Sequence, residues 1–119
     1  NPSYAWNHAI KAVEFLLHPI VSPTNNKATL GSMLADLTNK PDKWTLLLST
    51  SSSQIGEVEV LAGMLRLMWG NPDRHGSGTG YYRNPTPDEA EQIVGLAVLV
   101  VSWLRKNALQ AATSPSIGP

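Results

Sequence analysis

The chain has 119 residues, the size of one domain, of which 42% are hydrophobic and 15% charged. Its 9 basic and 9 acidic residues cancel, which disfavours a broad nucleic-acid binder because such domains are usually basic. The absence of cysteine excludes disulfides, thiolate zinc sites and a cysteine nucleophile.

The longest apolar run, Ile93 to Leu104, is shorter than the about 20 residues that a helix needs to span a bilayer. No secretory signal precedes it, so we expect a cytoplasmic protein with no membrane partner. The charged fraction is below the roughly 25% of ordinary soluble domains. This fits either a surface covered by a partner or a polar surface rich in Ser, Thr and Asn. The chain opens with Asn-Pro-Ser rather than Met, so we expect a fragment or a processed product.

Five helical segments and no strand are predicted. The first spans Ser3 to Leu17, with Ser3 as N-cap and an end or kink at His18, because Pro19 disfavours helix in the residue before it. Its buried face is expected to hold the residues that recur at helical spacing and the larger ones that widen this stripe: Ala5, Ala9, Ala12, Val13, Leu16 and Leu17, with Trp6, Ile10 and Phe15.

Two shorter segments follow. Thr29 to Leu37 is predicted to be a helix with one apolar face, made of Leu30, Met33, Leu34 and Leu37. Pro41 to Leu48 is predicted to be a short helical turn rather than a strand, because it holds few β-branched residues.

The fourth segment starts near Ser51, which has capping-box spacing with Gln54, and ends at Trp69 before a Gly-Asn-Pro stop. The fifth has the clearest start in the chain: Thr86 as N-cap, a proline at the first helical position, and Glu89 at the capping-box position. We expect it to reach about Ala108.

Apolar residues cover nearly the whole circumference of the fifth segment, so one side is expected to be core and the other a dimer seam. The chain is therefore predicted to be one all-α domain over residues 1–110. It would form a small bundle of four to five helices that dimerises through Ile93 to Leu104. Residues 111–119, rich in Ser and Pro, are predicted to be a disordered tail.

Candidate chemistry collects in the loop between the last two helices. His75 can act as a general acid or base near neutral pH, and Arg74 or Arg66 can hold a phosphate through planar donors. Asp73, Tyr81, Tyr82 and Arg83 complete a predicted RNA- or partner-binding group, with the tyrosines stacking on a base or a partner surface. The other interpretation is that His75 only caps the preceding helix or bonds within the loop.

Neither a metal site nor a cofactor is expected. His8, His18 and His75 are scattered, without the spacing that metal ligands need. The glycine-rich run from Gly76 to Gly80 lacks the preceding strand and the following Lys-Ser/Thr of a phosphate-binding loop, so we interpret it as a linker.

Three stretches together resemble a known family: AWNHAIKAVEFLLHPIV, KATLGSMLADL, and LRLMWGNPDRHGSG followed by PTPDEAEQIVGLAVLVVSWL. Their order, over roughly Pro2 to Leu104, is similar to the abortive-infection C-terminal domain of the HEPN superfamily. The resemblance implies a prokaryotic all-α bundle, often dimeric, found in phage-defence and toxin–antitoxin proteins and commonly joined to other domains.

Active HEPN proteins are metal-independent endoribonucleases in which an Arg precedes the catalytic His by four to six intervening residues. His75 matches the family histidine by its place after the penultimate helix and before a glycine. The matching Arg is absent, because positions 68 to 70 hold Met68, Trp69 and Gly70. The residues thus predict a non-catalytic module for dimerisation or for binding a partner or RNA. The alternative is an endoribonuclease that uses His75 with Arg74 or Arg66 across a dimer cleft.

Overall fold

A computed structural model describes residues 1–47, 56–70 and 83–112. In this part of the chain, four helices and one small two-stranded sheet occur. The predicted class, an all-α small helical bundle, is therefore confirmed. Helix α1 spans Pro2–Val21, α2 Leu30–Asn39, α3 Gly56–Trp69 and α4 Pro87–Arg105. Strand β1 is Trp44–Leu46 and β2 is Leu109–Ala111.

Helix α1 is longer at both ends than its sequence predicts. The N-cap is Asn1 rather than Ser3, since the Asn1 side chain accepts from the backbone N–H groups of Ser3 (3.0 Å) and Tyr4 (3.3 Å). Pro2 then takes the first helical position, which suits its fixed φ. Of the predicted end or kink at His18, the end is wrong, because Pro19 lies inside the helix. So close to the end of the helix a proline removes a single backbone hydrogen bond, and the helix continues to the buried Val21.

The buried stripe of α1 is rotated from the predicted one. It consists of Trp6, Ala9, Ile10, Val13, Leu17 and Val21. Phe15, predicted to widen the core face, is 79% exposed. Ala12 is exposed as well, so the buried stripe is narrower than the predicted one.

Helix α2, predicted over Thr29 to Leu37, spans Leu30–Asn39. Thr29 is its N-cap, with a capping box completed by Ser32. Its four predicted apolar residues are all buried. A carboxylate from another helix adds to this cap, because Glu14 of α1 accepts the Leu30 N–H at 2.6 Å. The exposed N–H groups of the first turn make this a favourable place for an anion.

The sheet contradicts the prediction of a helical turn over Pro41 to Leu48. Only Pro41–Lys43 forms a turn of 3-10 helix, and Trp44–Leu46 is a strand. This strand pairs with β2 in antiparallel register, with Thr45 opposite Gln110. Burial alternates along β1, with Trp44 and Leu46 inside and Thr45 outside, which is the period of a strand. Its partner lies at the far end of the chain, so no local pattern could have indicated the pairing.

Helix α4 begins with the predicted Thr86–Glu89 capping box but ends at Arg105 rather than near Ala108. Asn107 adopts a positive φ of 60°, and the N–H groups of Asn107 and Ala108 donate to the carbonyls of Leu104 and Trp103. This pair of bonds is a Schellman motif, in which asparagine is a common substitute for glycine. The turn leads directly into β2, so the predicted boundary at residue 110 falls inside a strand. Residues 113–119 lie outside the described part.

Helices α1 and α4 make the most extensive contact of any pair of elements. They lie side by side and run in the same direction, because Pro2 is close to Pro87 at one end while Ala12 is close to Val101 further along. The core lies between this pair, α2, α3 and the sheet, and its fully buried side chains are leucines, methionines, valines and isoleucine. No helix within the described residues is long and apolar enough to cross a membrane.

Candidate functional site

Most of the predicted site residues lie outside the described residues. This holds for Asp73, Arg74, His75, Tyr81 and Tyr82. The convergence of His75 with an arginine therefore stays a prediction. Arg66, the third predicted catalytic residue, lies on the last turn of α3 with an exposed side chain.

Arg83 is held at the start of α4. Its guanidinium pairs with both oxygens of Glu89, at 2.6 Å and 2.7 Å, and also donates to the carbonyl of Asn84 at 3.2 Å. Such a two-pronged pair fixes the orientation of both side chains. The role that the geometry gives Arg83 is thus to support the cap of α4. Its predicted binding of RNA or a partner stays a prediction.

Glu89 is the centre of this cap. Besides Arg83, its carboxylate accepts the Thr86 N–H at 2.8 Å, while the Glu89 N–H donates to the Thr86 hydroxyl at 3.1 Å. The hydrogen bonds from Arg83 and then from the Thr86 backbone stabilise the ionised form and lower the pKa of Glu89 from its ordinary 4.5 to about 2. Glu89 is therefore ionised at any physiological pH.

The C-terminal turn of α3 is tied to α1 by a buried hydrogen bond. The indole N–H of Trp6 donates to the carbonyl of Met68 at 2.7 Å. Carbonyls in the last turn of a helix have no partner within the helix, so this bond caps α3. The ends of α3 and α4 that flank residues 71–82 are both held by specific polar contacts.

A groove runs along the outer side of α1 and α4 and is called here the α1/α4 groove. Its central part has a volume of about 500 Å³. The floor is made of small residues, Ala5, Ala9, Ala12 and Ala97. Because alanine side chains are short, the two helices leave a channel between the longer side chains on either side.

The walls of the α1/α4 groove come from one helix each. On α1, the rings of Tyr4 and His8 are in tilted contact, with centroids 4.2 Å apart and an interplanar angle of 52°, and Tyr4 is 65% exposed. On α4, the wall is Val94, Val98 and Val101, of which Val98 is 65% exposed. Tyr4, Val94 and Val98 are the exposed apolar side chains of these walls.

The groove continues in both directions along α4. Towards the N-terminal end it shares Ala5 and Val94 with a cavity that Pro87 and Glu91 also line. Towards the C-terminal end it shares Val98 and Val101 with a cavity that Ser102, Arg105 and Lys106 also line. From Pro87 to Arg105 this is a channel of about 27 Å, since each helical residue rises about 1.5 Å.

Charge is distributed unequally along the channel. Its N-terminal end carries Glu91, its middle is apolar, and its C-terminal end carries Arg105 and Lys106. A long, open, apolar surface with charged ends has the features of a site for a protein helix. Sites for small molecules are usually more enclosed and have polar groups placed to orient the ligand.

The two described histidines have local roles. The His18 ring donates its Nε2–H to the carbonyl of Asn25 at 2.7 Å, which holds the turn after α1. The His8 ring lies in tilted contact with the Tyr4 ring. Among the described residues no group of three or more His, Asp and Glu could hold a metal ion.

Comparisons with models of protein families, with curated proteins and with solved structures found no match to this chain. The function therefore has to be argued from the residues and their geometry.

Sequence reasoning found one half of the groove and missed the other. The apolar circumference of α4 predicted a dimer seam over Ile93 to Leu104. Val94 and Val98, which line the groove, are exposed in the single chain, and the seam itself stays a prediction. The contribution of α1 was missed because its alanines were interpreted as core. The signal was present in the spacing of Ala5, Ala9 and Ala12, which places short side chains along one line of a helix that packs against another.

Proposed function

We propose that this chain is a non-catalytic, HEPN-like helical module of a larger prokaryotic protein of the phage-defence or toxin type. Its role in that protein is assembly, by dimerisation or by docking on a partner helix. The observation that carries the proposal is the α1/α4 groove, with Tyr4 and Val98 each 65% exposed beside a floor of alanines.

Two features support assembly over catalysis. The arginine expected before His75 is absent from positions 68 to 70. Arg83, another cation of the same region, is paired with Glu89. Covering the exposed apolar side chains of the groove, by contrast, is favourable, by roughly 25 cal/mol for each Å² of apolar area removed from water.

The test compares two variants that differ only in where a charge is placed. Val98→Glu puts a carboxylate in the wall of the groove, and Leu67→Glu puts one on α3. Both side chains are 65% exposed in the single chain, so neither substitution should unfold it. Solution mass by light scattering, with circular dichroism as a folding control, measures the effect on assembly.

We expect the wild-type chain and Leu67→Glu to form the same assembly, and Val98→Glu to lose it. If the wild-type chain stays monomeric at high concentration and also binds no part of its full-length context, the proposal is wrong. Equal behaviour of the two glutamate variants would likewise remove the groove from any account of assembly.

The alternative, a metal-independent endoribonuclease, is tested with the same preparation. RNA cleavage in the presence of EDTA that disappears in His75→Ala would establish it despite the missing arginine. No cleavage by a correctly assembled wild-type chain would leave the assembly module as the function.

A further inference from the structure

We propose that the occupant of the α1/α4 groove is helix α4 of a second copy of this chain, in antiparallel orientation, with the two-fold axis close to Val98. The inference rests on the proposed assembly function and specifies its partner and geometry. It follows from the order of charged and apolar residues along the groove.

Three groove residues of α4 are spaced seven apart: Glu91, Val98 and Arg105. Seven residues make about two helical turns, so these side chains fall close to one line along the helix. The acid lies at one end of the line, the base at the other, and the exposed valine at its midpoint.

This order is self-complementary only when the second helix is reversed. With the axis at Val98, Glu91 of each chain lies opposite the partner's Arg105, and the two-fold axis repeats the pair. In a parallel pair, Glu91 would face Glu91 and Arg105 would face Arg105. A two-fold interface uses the same patch on both copies, and this patch pairs its own opposite charges.

The surface between the charges fits the same arrangement. Val94 and Ser102 are equally far from Val98 on either side. Val94 of each chain therefore faces Ser102 of the other chain across the axis. Gly95, on the neighbouring line of α4, is exposed, and a Cβ added there would contact nothing within the chain. The bundle itself therefore does not require glycine at this position, and its small size lets a second helix approach closely.

Charge reversals distinguish this geometry from others. Glu91→Arg alone and Arg105→Glu alone each replace two attractive pairs by two repulsive ones, and we expect the dimer Kd to rise about tenfold. The double variant Glu91→Arg/Arg105→Glu restores the pairs with their direction exchanged, so its Kd should return close to the wild-type value. High salt should reduce all of these differences.

The double variant also separates interface effects from helix stability. A positive charge near the start of α4 and a negative one near its end oppose the helix dipole, so the double variant should have the lowest melting temperature. Recovery of its dimer in spite of this would come from the interface. Glu59→Arg, a reversal at an exposed position of α3, is the matched control and should leave the Kd unchanged.

Cross-linking provides a second readout. Because the chain has no cysteine, only the introduced cysteines react with the cross-linker. When Val94→Cys chains are mixed with Ser102→Cys chains and treated with a short bis-maleimide, the antiparallel dimer predicts mixed cross-links. Products dominated by Val94→Cys linked to itself would overturn the orientation.

The possible failures are distinct. If Val98→Glu dissociates the assembly but the charge reversals have no effect, the antiparallel geometry is wrong and the proposed function stands. If the wild-type chain is monomeric but Val98→Glu blocks capture by its full-length context, the second copy is wrong and the docking function stands. If Val98→Glu changes neither the assembly nor the capture, both the antiparallel dimer and the proposed function are wrong.

Discussion

Among the described glycines, Gly31, in the first turn of α2, is the one where an added methyl group would meet the shortest contacts. A Cβ built there would lie 2.6 Å from two indole carbons of Trp69 and 2.8 Å from its nitrogen. These separations are far below the about 3.5–4.0 Å at which carbon atoms pack favourably. The Gly31→Ala variant must therefore move the half-buried indole at the end of α3.

The expected change in the free energy of unfolding of Gly31→Ala follows from two opposing contributions. Alanine is favoured over glycine inside a helix by about 1 kcal/mol, and forcing an extra group into a packed contact costs about 1–3 kcal/mol. We therefore expect Gly31→Ala to lower the free energy of unfolding by about 1 kcal/mol on balance. For a domain of this size, that corresponds to a decrease in melting temperature of about 4 °C.

Gly63, in α3, is the matched control. A Cβ added at Gly63 would contact nothing, so only the gain in helix propensity applies. Gly63→Ala should raise the free energy of unfolding by about 1 kcal/mol. The same chemical change is thus expected to have opposite signs at two helical glycines. Urea unfolding followed by circular dichroism measures both variants.

A double variant tests the cause. In a Trp69→Leu background the indole is gone, so Gly31→Ala should become neutral or stabilising, a coupling of about 1–3 kcal/mol between the two positions. If Gly31→Ala stabilises the wild-type chain as much as Gly63→Ala does, the Trp69 indole does not lie close enough to Gly31 to clash with an added methyl group.

Three further substitutions test single contacts. Because the pKa of Glu89 is lowered in the folded chain, its ion pair with Arg83 stabilises the fold above about pH 4.5, and this stabilisation is lost as the pH falls towards 2. The melting temperature of Glu89→Gln should accordingly fall below wild type at neutral pH and converge with it near pH 2, and a constant difference would contradict this. Asn107→Val places a β-branched residue at a φ of 60° and should cost about 1–2 kcal/mol in urea unfolding; no loss would show that the turn can rearrange. Trp6→Phe leaves the buried carbonyl of Met68 without its donor and should cost about 1–3 kcal/mol, while calorimetry that finds wild-type stability would count against this cap.

Local chemistry in the sequence predicted the start of one helix and the buried face of another. The Thr86 box with Glu89 and the apolar stripe of α2 depend only on residues within a few positions of one another. Both are confirmed in the structure. The order of the helices and the all-α class follow from the same kind of information.

Features that depend on distant residues could not be predicted this way. The pairing of Trp44–Leu46 with Leu109–Ala111 joins segments near the middle and the end of the chain, and a strand of this length has almost no periodicity of its own. The Glu14 cap on α2 and the Trp6 bond to Met68 likewise join separate helices. Each needs the packing of the bundle before its partner is known.

The candidate site was predictable in part. Burial on one side of α4 and exposure of Val94, Val98 and Leu99 on the other agree with an apolar helix that has two contact surfaces. The predicted chemistry of His75, Arg74 and the two tyrosines falls on residues outside the described part. The groove itself depends on how closely α1 approaches α4, a distance that no single-helix pattern contains.

The parallel pairing of α1 with α4 also has a consequence for synthesis on the ribosome. Helix α1 begins at Pro2 and its main packing partner, α4, begins at Pro87. Helix α1 therefore cannot complete its packing until α4 has been synthesised. At about 5–20 residues per second this delay is on the order of ten seconds. During that time the face of α1 that packs against α4 stays uncovered. The emerging chain should therefore be a substrate for chaperones until its final helix leaves the exit tunnel, and formation of the bundle should be a late, concerted event.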